Sequence, residues 1–323
     1  MKKLSVCVLF GGISPEHDVS LRSAESVLNN MDPEKYNIFP VGITKEGDWI
    51  LYNSTDYSKL PGGQWLENPT NRRAAISPVR GQGLLQMAGI PYVGPHVSAS
   101  AVAMDKTLTK LVADQAGVTQ AAWHVVRNSD LDNHMDQALD ALEQKFAYPM
   151  FVKPAGTGSS VGVSKAADRE QLRMALLEAG TYDEKILVEE FIHGREVEVA
   201  VMGNASPVAS ECGEIDSGAE FYDYEAKYIT DTSVAYIPAR ISEEVAEQVR
   251  DSAVKIYKAI GCQGLSRVDF LVTYEDNRVV FNEINTLPGF TSISMFPKLF
   301  AASGIPYTQL IDELLRLAVE AAQ

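Results

Sequence analysis

Apolar positions along the chain fall into short β-rich runs that alternate with stretches of helical spacing, the order of an α/β protein. Residues 4–10 read as a buried strand running into Gly11-Gly12, and residues 36–43 as a second strand. Between them Ser14 is placed to cap a helix, with Pro15 at its first position and residues 20–28 continuing it. The pattern predicts a short helix over 82–88, a strand end at 90–94 and one helix over 98–114. Strands follow at 123–126 and 150–153 around an amphipathic helix over 130–144. A helix over 168–177, a strand over 185–191 and a cleanly alternating strand over 196–202 come next. Residues 214–235 are polar, tyrosine-rich and irregular, a length of chain that marks a functional loop or lid. Ser242 caps a long amphipathic helix that Gly261 stops, and a last helix spans 310–322.

The most informative stretch is a hairpin. Two β-rich runs flank Glu275-Asp276-Asn277, which reads as a three-residue loop. Pairing Tyr274 with Arg278 places Asp269 opposite Glu283 and Arg267 opposite Asn285. Alternation puts these four on one face with Leu271, Val279 and Phe281; Val268, Phe270, Val272, Val280 and Ile284 form the other, buried face. Two opposed carboxylates about 4 Å apart repel by roughly 4 kcal/mol in an effective dielectric near 20, so a cation belongs between them. Asp, Glu and Asn oxygens suit Mg²⁺, with a phosphate completing the shell. An exposed charged strand face is the plain alternative.

Composition narrows the partners. With 323 residues, 46% of them hydrophobic and 22% charged, the chain has room for two or three domains with real cores. A net charge of −15 argues against a nucleic-acid or anionic-membrane partner, so an anionic substrate must be held by local Lys, Arg or metal. Cys7, Cys212 and Cys262 are scattered without a CxxC pair, which fits a reducing compartment.

Several segments carry candidate chemistry. The run from Lys153-Pro154 through Gly156, Gly158 and Gly162 follows a strand and can offer converging N–H groups to phosphates. Its lysine precedes the glycines and no helix follows, so it is not a P-loop; it reads as a hairpin flap over phosphates or as a flexible surface hairpin. Glu16 at a helix N-terminus either complements the helix dipole or attracts an ammonium group. Glu189-Glu190 at a strand end suits an adenine amino group and ribose hydroxyls, or solvated edge charge. Lys106 by itself is an ordinary solvated lysine.

Taken in order, six motifs resemble the D-alanine–D-alanine ligases of the ATP-grasp superfamily, nearly end to end. They are Gly11-Gly12 with Glu16-His17-Asp18-Val19-Ser20, Met104-Asp105-Lys106, Lys153-Pro154 with Gly158-Ser159-Ser160-Val161-Gly162, Tyr224-Glu225-Ala226-Lys227-Tyr228, Arg267-Val268-Asp269, and Glu283-Ile284-Asn285-Thr286 with Pro288-Gly289-Phe290-Thr291. The resemblance implies an α/β fold: a Rossmann-like pre-ATP-grasp domain over 1–94, then ATP-grasp lobes over 95–189 and 190–323. It also implies a cytoplasmic homodimer that makes a peptidoglycan precursor. ATP phosphorylates one D-alanine, and the amine of a second attacks the acyl phosphate.

The resemblance also implies roles. Asp269, Glu283 and Asn285 hold Mg²⁺ (or Mn²⁺), two ions being the family pattern. Lys106, Lys153 and Lys227 contact phosphates. Glu189, Glu190, Phe191 and Ile192 form the adenine edge, Phe281 packs the ring beside Asn282, and Glu196 takes the ribose. Arg267 and the Gly289 N–H stabilise the oxyanion. Glu16 binds the first D-alanine, linked through Ser159 and Tyr228, and Ser294 with Met295 meets the second. A tyrosine at 228 goes with D-alanine rather than D-lactate as second substrate.

One departure stands out. Relatives carry a buried strand ending in His-Gly and a Glu-Asp-Gly loop before Ile90-Pro91-Tyr92-Val93-Gly94; here Ile76-Ser77-Pro78-Val79-Arg80-Gly81 runs straight into Gln82-Gly83. The first domain is expected to lack one strand and to be weakened by it. A Mg-ATP-binding form with little ligase activity, and a ligase that takes D-serine or D-lactate second, are the alternatives.

Overall fold

The computed structural model describes residues 3–74, 84–87, 89–158, 160–216 and 234–323. The chain forms two compact units, residues 1–94 with 287–323, and residues 95–286. Ser159, Lys227 and Tyr228, and the segment 75–83 at the expected deletion, lie outside the described residues.

In the first unit β1 (Leu4–Gly11) runs parallel to β2 (Tyr36–Ile43), and β3 (Trp49–Leu51) and β4 (Arg72–Arg73) follow antiparallel in the order β1-β2-β3-β4. The helix His17–Asn30 turns Leu21, Ala24 and Leu28 inward at helical spacing against Phe10, Tyr52 and Trp65. Gly42 makes this core possible, because a Cβ there would lie 2.2 Å from the Trp65 ring. Ile311, from the helix Tyr307–Ala321, joins the same core. Asp312 accepts hydrogen bonds from Lys35 Nζ at 2.5 Å and Tyr36 OH at 2.6 Å, tying that helix to the start of β2.

Three local expectations change here. Ser14 is not a cap: its carbonyl accepts from His17 N in a turn, Gly11 N donates to Ser20 Oγ, and the helix starts at His17. β1 is not buried; it is an edge strand among the described residues, with Leu4 and Leu9 exposed and only Phe10 fully covered. Residues 90–94 are irregular chain with a bend at Val93-Gly94 rather than a strand end.

The second unit holds two sheets. β5 (Trp123–Arg127), β6 (Met150–Pro154), β7 (Ser164–Ala166) and β8 (Lys185–Glu190) pair antiparallel in the order β5-β8-β6-β7. Leu139 and Leu142 from the helix Asn128–Glu143, and Leu172 and Leu176 from Arg169–Gly180, cover one face of it. β9 (Gly194–Met202), β10 (Val208–Asp216), β11 (Val234–Tyr236), β12 (Leu265–Thr273) and β13 (Val279–Asn285) form a larger antiparallel sheet in the order β11-β10-β9-β12-β13. The helix Glu243–Ile260, capped by Ser242 and stopped by left-handed Gly261, lays Val249, Ala253, Ile256 and Tyr257 on that sheet.

Both ends of the 214–235 stretch read as irregular are strand: 214–216 end β10, and 234–235 begin β11. The single helix expected over 98–114 is two, Val97–Met104 and Lys106–Ala116, broken at Asp105. The Asp105 carboxylate caps the second by accepting from Thr107 N at 3.0 Å and Leu108 N at 3.2 Å. Ala99 and Ala113 of these helices join the core of the larger sheet.

Candidate active site

The hairpin of β12 and β13 carries the site face. Arg267 pairs with Asn285 and Asp269 with Glu283, as the loop register requires. A β-bulge after Asp269 then shifts the register by one, pairing Phe270 with Phe281 and Leu271 with Val280. One extra residue exchanges the faces of β13 beyond it. Val279 and Phe281 therefore enter the main core, and Val280 joins Leu271, Ile192 and Ala121 in an apolar wall on the other side. This overturns the assignment of Phe281 to the adenine: it is 1% exposed and packs edge-on to Phe270 in the core. Beyond the bulge, half-buried Leu271 is the apolar side chain left open on the face of Asp269, while Val280 beneath it is fully covered.

Register places the rest in rows across the sheet. Glu196, Leu271 and Val280 form one row; Glu198, Asp269 and Glu283 the next; Ala200, Arg267 and Asn285 the third. Asn285 Nδ2 donates to Asp269 Oδ2 at 3.1 Å and to Glu283 Oε1 at 3.3 Å, so one small group reaches oxygens of both acids. Hard oxygens so close fit a divalent cation, with Asn285 Oδ1 available as a third ligand type. Among the described residues no group of three or more His, Cys, Asp or Glu side chains is arranged to hold a metal. An ion here would therefore need phosphate or water oxygens as well, which is how Mg²⁺ is ordinarily bound. Arg267 donates through Nε to Asp269 Oδ1 at 2.8 Å and through Nη2 to Oδ2 at 2.7 Å.

Beside this face a cleft is lined by Lys106, Lys110, Lys153, Glu189, Glu283 and Asn285, among others. Lys106, the residue after the Asp105 cap, donates to Thr157 O at 2.5 Å and so ties the glycine-rich turn to the helix. Burial, and secondarily the Lys153 charge, hold its ammonium below the usual lysine value against the pull of Glu283. Lys153, at the end of β6, pairs with Glu189 Oε2 at 2.6 Å and reaches Asn282 Oδ1 at 3.4 Å. Lys110 makes an ion pair with the other oxygen of Glu189. Burial alone would raise the Glu189 carboxyl, but Lys110 and then Lys153 outweigh it and hold Glu189 ionised far below the ordinary range. Lys110 was not singled out from the sequence, although its i,i+4 spacing from Lys106 puts the two on one helix face.

The remaining candidates divide. Glu190 accepts from Ala122 N at 2.9 Å, and Ile192 sits in the apolar wall. The Phe191 ring packs on Phe151 and lies under Lys165. β6 and β7, the strands on either side of the glycine-rich segment, pair antiparallel. On the first unit, Glu16 is the residue preceding the helix His17–Asn30. Ser294 stands at the N-terminus of the helix Met295–Ala302, its Oγ accepting from Thr291 N at 3.0 Å; a Cβ on Gly289 would lie 2.9 Å from that Oγ.

Residues 5–77 match the family described as D-ala D-ala ligase N-terminus, and residues 112–316 the D-ala D-ala ligase C-terminus. A D-alanine–D-alanine ligase of Clostridium novyi is 47% identical over 99% of both chains, and one of Caldicellulosiruptor bescii 46% identical over 99% of this chain and 96% of its own. The latter alignment runs over 352 positions, more than the 323 residues here, so that relative carries sequence without a counterpart in this chain. Among solved structures, the VanG D-Ala:D-Ser ligase of Enterococcus faecalis superposes with a TM-score of 0.88 at 33% identity, covering 98% of this chain and all of its own. The D-alanine-D-alanine ligase of Coxiella burnetii gives 0.86 at 33% identity, covering 100% of this chain and 96% of its own. With both halves of the family matched and near-half identity along almost its whole length, the chain belongs to the D-alanine–D-alanine ligase family.

Proposed function

We propose that the protein joins two D-alanines in an ATP-dependent reaction through an acyl phosphate, supplying D-alanyl-D-alanine for peptidoglycan precursors. The observation that carries this reading is the cleft where Lys106, Lys153 and Glu189 from one side share a wall with Glu283 and Asn285 from the other. Cations for phosphate oxygens and hard oxygens for a metal in one recess suit phosphoryl transfer.

Asp269, Glu283 and Asn285 would hold Mg²⁺, which would supply positive charge against that of the phosphates. Lys106 and Lys153 hold phosphate oxygens, and the turn over 156–162 covers them and keeps water from the acyl phosphate. The edge at Glu189–Ile192, with Leu271 beside Ile192, takes the adenine, and Glu196 the ribose. Arg267 stabilises the oxyanion formed when the second amine attacks. On the first unit, Glu16 takes the ammonium of the first D-alanine, the Gly289 N–H an oxyanion, and Ser294 with Met295 the second carboxylate, where a helix N-terminus favours an anion. Ser159, Lys227 and Tyr228 complete the assignment from sequence alone. We further propose two metal ions per site, a cytoplasmic homodimer, and the domain division 1–94, 95–189 and 190–323.

ADP release with Mg-ATP and D-alanine, D-serine or D-lactate in turn tests the reading. Turnover with D-alanine alone is the expected result. The likeness to a D-Ala:D-Ser ligase makes D-serine the informative competitor. Turnover only with D-alanine plus D-serine or D-lactate would reassign the second substrate, and nucleotide binding without turnover would sink the ligase assignment.

A further inference from the structure

Glu198 belongs to none of the roles above, yet it is 4% exposed, a costly place for a carboxylate unless it is paired. On β9 it is the direct ladder partner of Asp269, on the side away from Glu283. Its Oε2 lies 3.3 Å from Arg267 Nε, the same nitrogen that donates to Asp269 Oδ1. Asp269 meanwhile commits both of its oxygens to the Arg267 fork. A cation ligated by Asp269 must bind an oxygen that already accepts from Arg267, which the remaining lone pairs allow. Arg267 and the metal thus bring two positive charges to one carboxylate, and each weakens the other's hold while catalysis needs both in place.

We propose that Glu198 is the positioning residue that holds Arg267 when Asp269 turns to the metal, an inference that rests on the roles assigned above to Arg267 and Asp269. Standing one strand removed from Glu283 and Asn285, Glu198 offers the guanidinium a charged anchor outside the metal's ligand set. A carboxylate is needed because the contact is an ion pair, which a neutral side chain cannot supply.

The test uses the full-length enzyme and the nearly isosteric Glu198→Gln. Its kcat should fall about 10- to 100-fold with the KM for ATP little changed, because nucleotide contacts are untouched. Binding of Mn²⁺ in the presence of ATP but without D-alanine, read by electron paramagnetic resonance, should weaken severalfold, since Arg267 left with one anchor competes harder for Asp269. In an Arg267→Ala background the same Glu198→Gln change should cost kcat nothing further. Glu198→Asp, which keeps the charge but retracts it by one methylene, should also lower kcat and covers the case of a poorly folded Gln variant. A folded Glu198→Gln or Glu198→Asp enzyme with kcat within twofold of the parent, or a Glu198→Gln loss as large without Arg267 as with it, would overturn the proposal. If Arg267→Ala alone leaves kcat intact, it is the role of Arg267 that fails, and the proposal with it.

Discussion

Lys110→Met tests whether buried Lys110 and half-buried Lys153 keep Glu189 charged. Folding drives the Glu189 carboxyl from an ordinary 4.5 down to about 2, with Lys110 and then Lys153 overcoming the opposing effect of burial. At 1.36 kcal/mol per pH unit, that gap contributes about 3 kcal/mol of stability wherever Glu189 is ionised in both states. Lys110 is the stronger of the two attractions, so its loss should cost about 2 kcal/mol. The sign follows from the direction of the shift. A carboxyl depressed by folding stabilises above its unfolded pKa and loses that contribution as pH falls through its folded one. Parent and variant should therefore differ by about 2 kcal/mol at pH 7 and converge as pH drops from 4.5 towards 2. Hydrogen exchange of peptides covering β6 and β8, the strands that carry Lys153 and Glu189, reads the local stability directly. In a Glu189→Gln background the Lys110→Met cost should nearly vanish, because neither partner is then left charged and alone. A loss that is equal at pH 7 and pH 3, or undiminished in the Glu189→Gln background, would refute the charge argument.

Three further outcomes follow from the site and the fold. Asp269→Asn and Glu283→Gln should each weaken Mn²⁺ binding at least 10-fold in a titration without substrate, while urea midpoints change little for Glu283, which is the more exposed of the two. Phe281→Leu should lower stability by about 1 kcal/mol in urea unfolding and leave the KM for ATP unchanged, since the ring is core and not a nucleotide contact. Calorimetry should show the first unit melting below the second, because β1 is an apolar edge strand among the described residues; a single coincident transition would argue that something covers it.

Much of the site was legible because two strong constraints coincide in the hairpin. Loop length and strand alternation together place Asp269 opposite Glu283 and Arg267 opposite Asn285, and the ladder agrees. The bulge was not legible: no residue between Asp269 and Glu283 announces it, and a one-residue slip is enough to send Phe281 to the opposite face. Long amphipathic segments such as Glu243–Ile260 announced themselves through a cap, a period and a glycine stop. Short-range punctuation misled elsewhere. Asp105 ends one helix and caps the next, a dual role that apolar periodicity over 98–114 runs straight across. Ser14-Pro15 satisfies every local rule for a helix start, yet the backbone spends them on a turn before His17. Lys110 and Glu198 were hidden for a different reason. Each looks like a surface charge until the strand that neutralises it is known, and those partners are distant in sequence.

The seating of Ile311 and Asp312 has a bearing on how the chain is made. Residues 4–73 provide β1 to β4 and most of their core, but the piece that closes it arrives with the helix Tyr307–Ala321. A ribosome emits the first part long before the second, so the early segment must wait with its apolar surface uncovered while the entire intervening unit is synthesised and folds. Chaperone engagement on the nascent chain should peak in that interval. Loss of residues 307–321 should then harm the beginning of the polypeptide more than its middle, a polarity opposite to the one that sequence distance suggests.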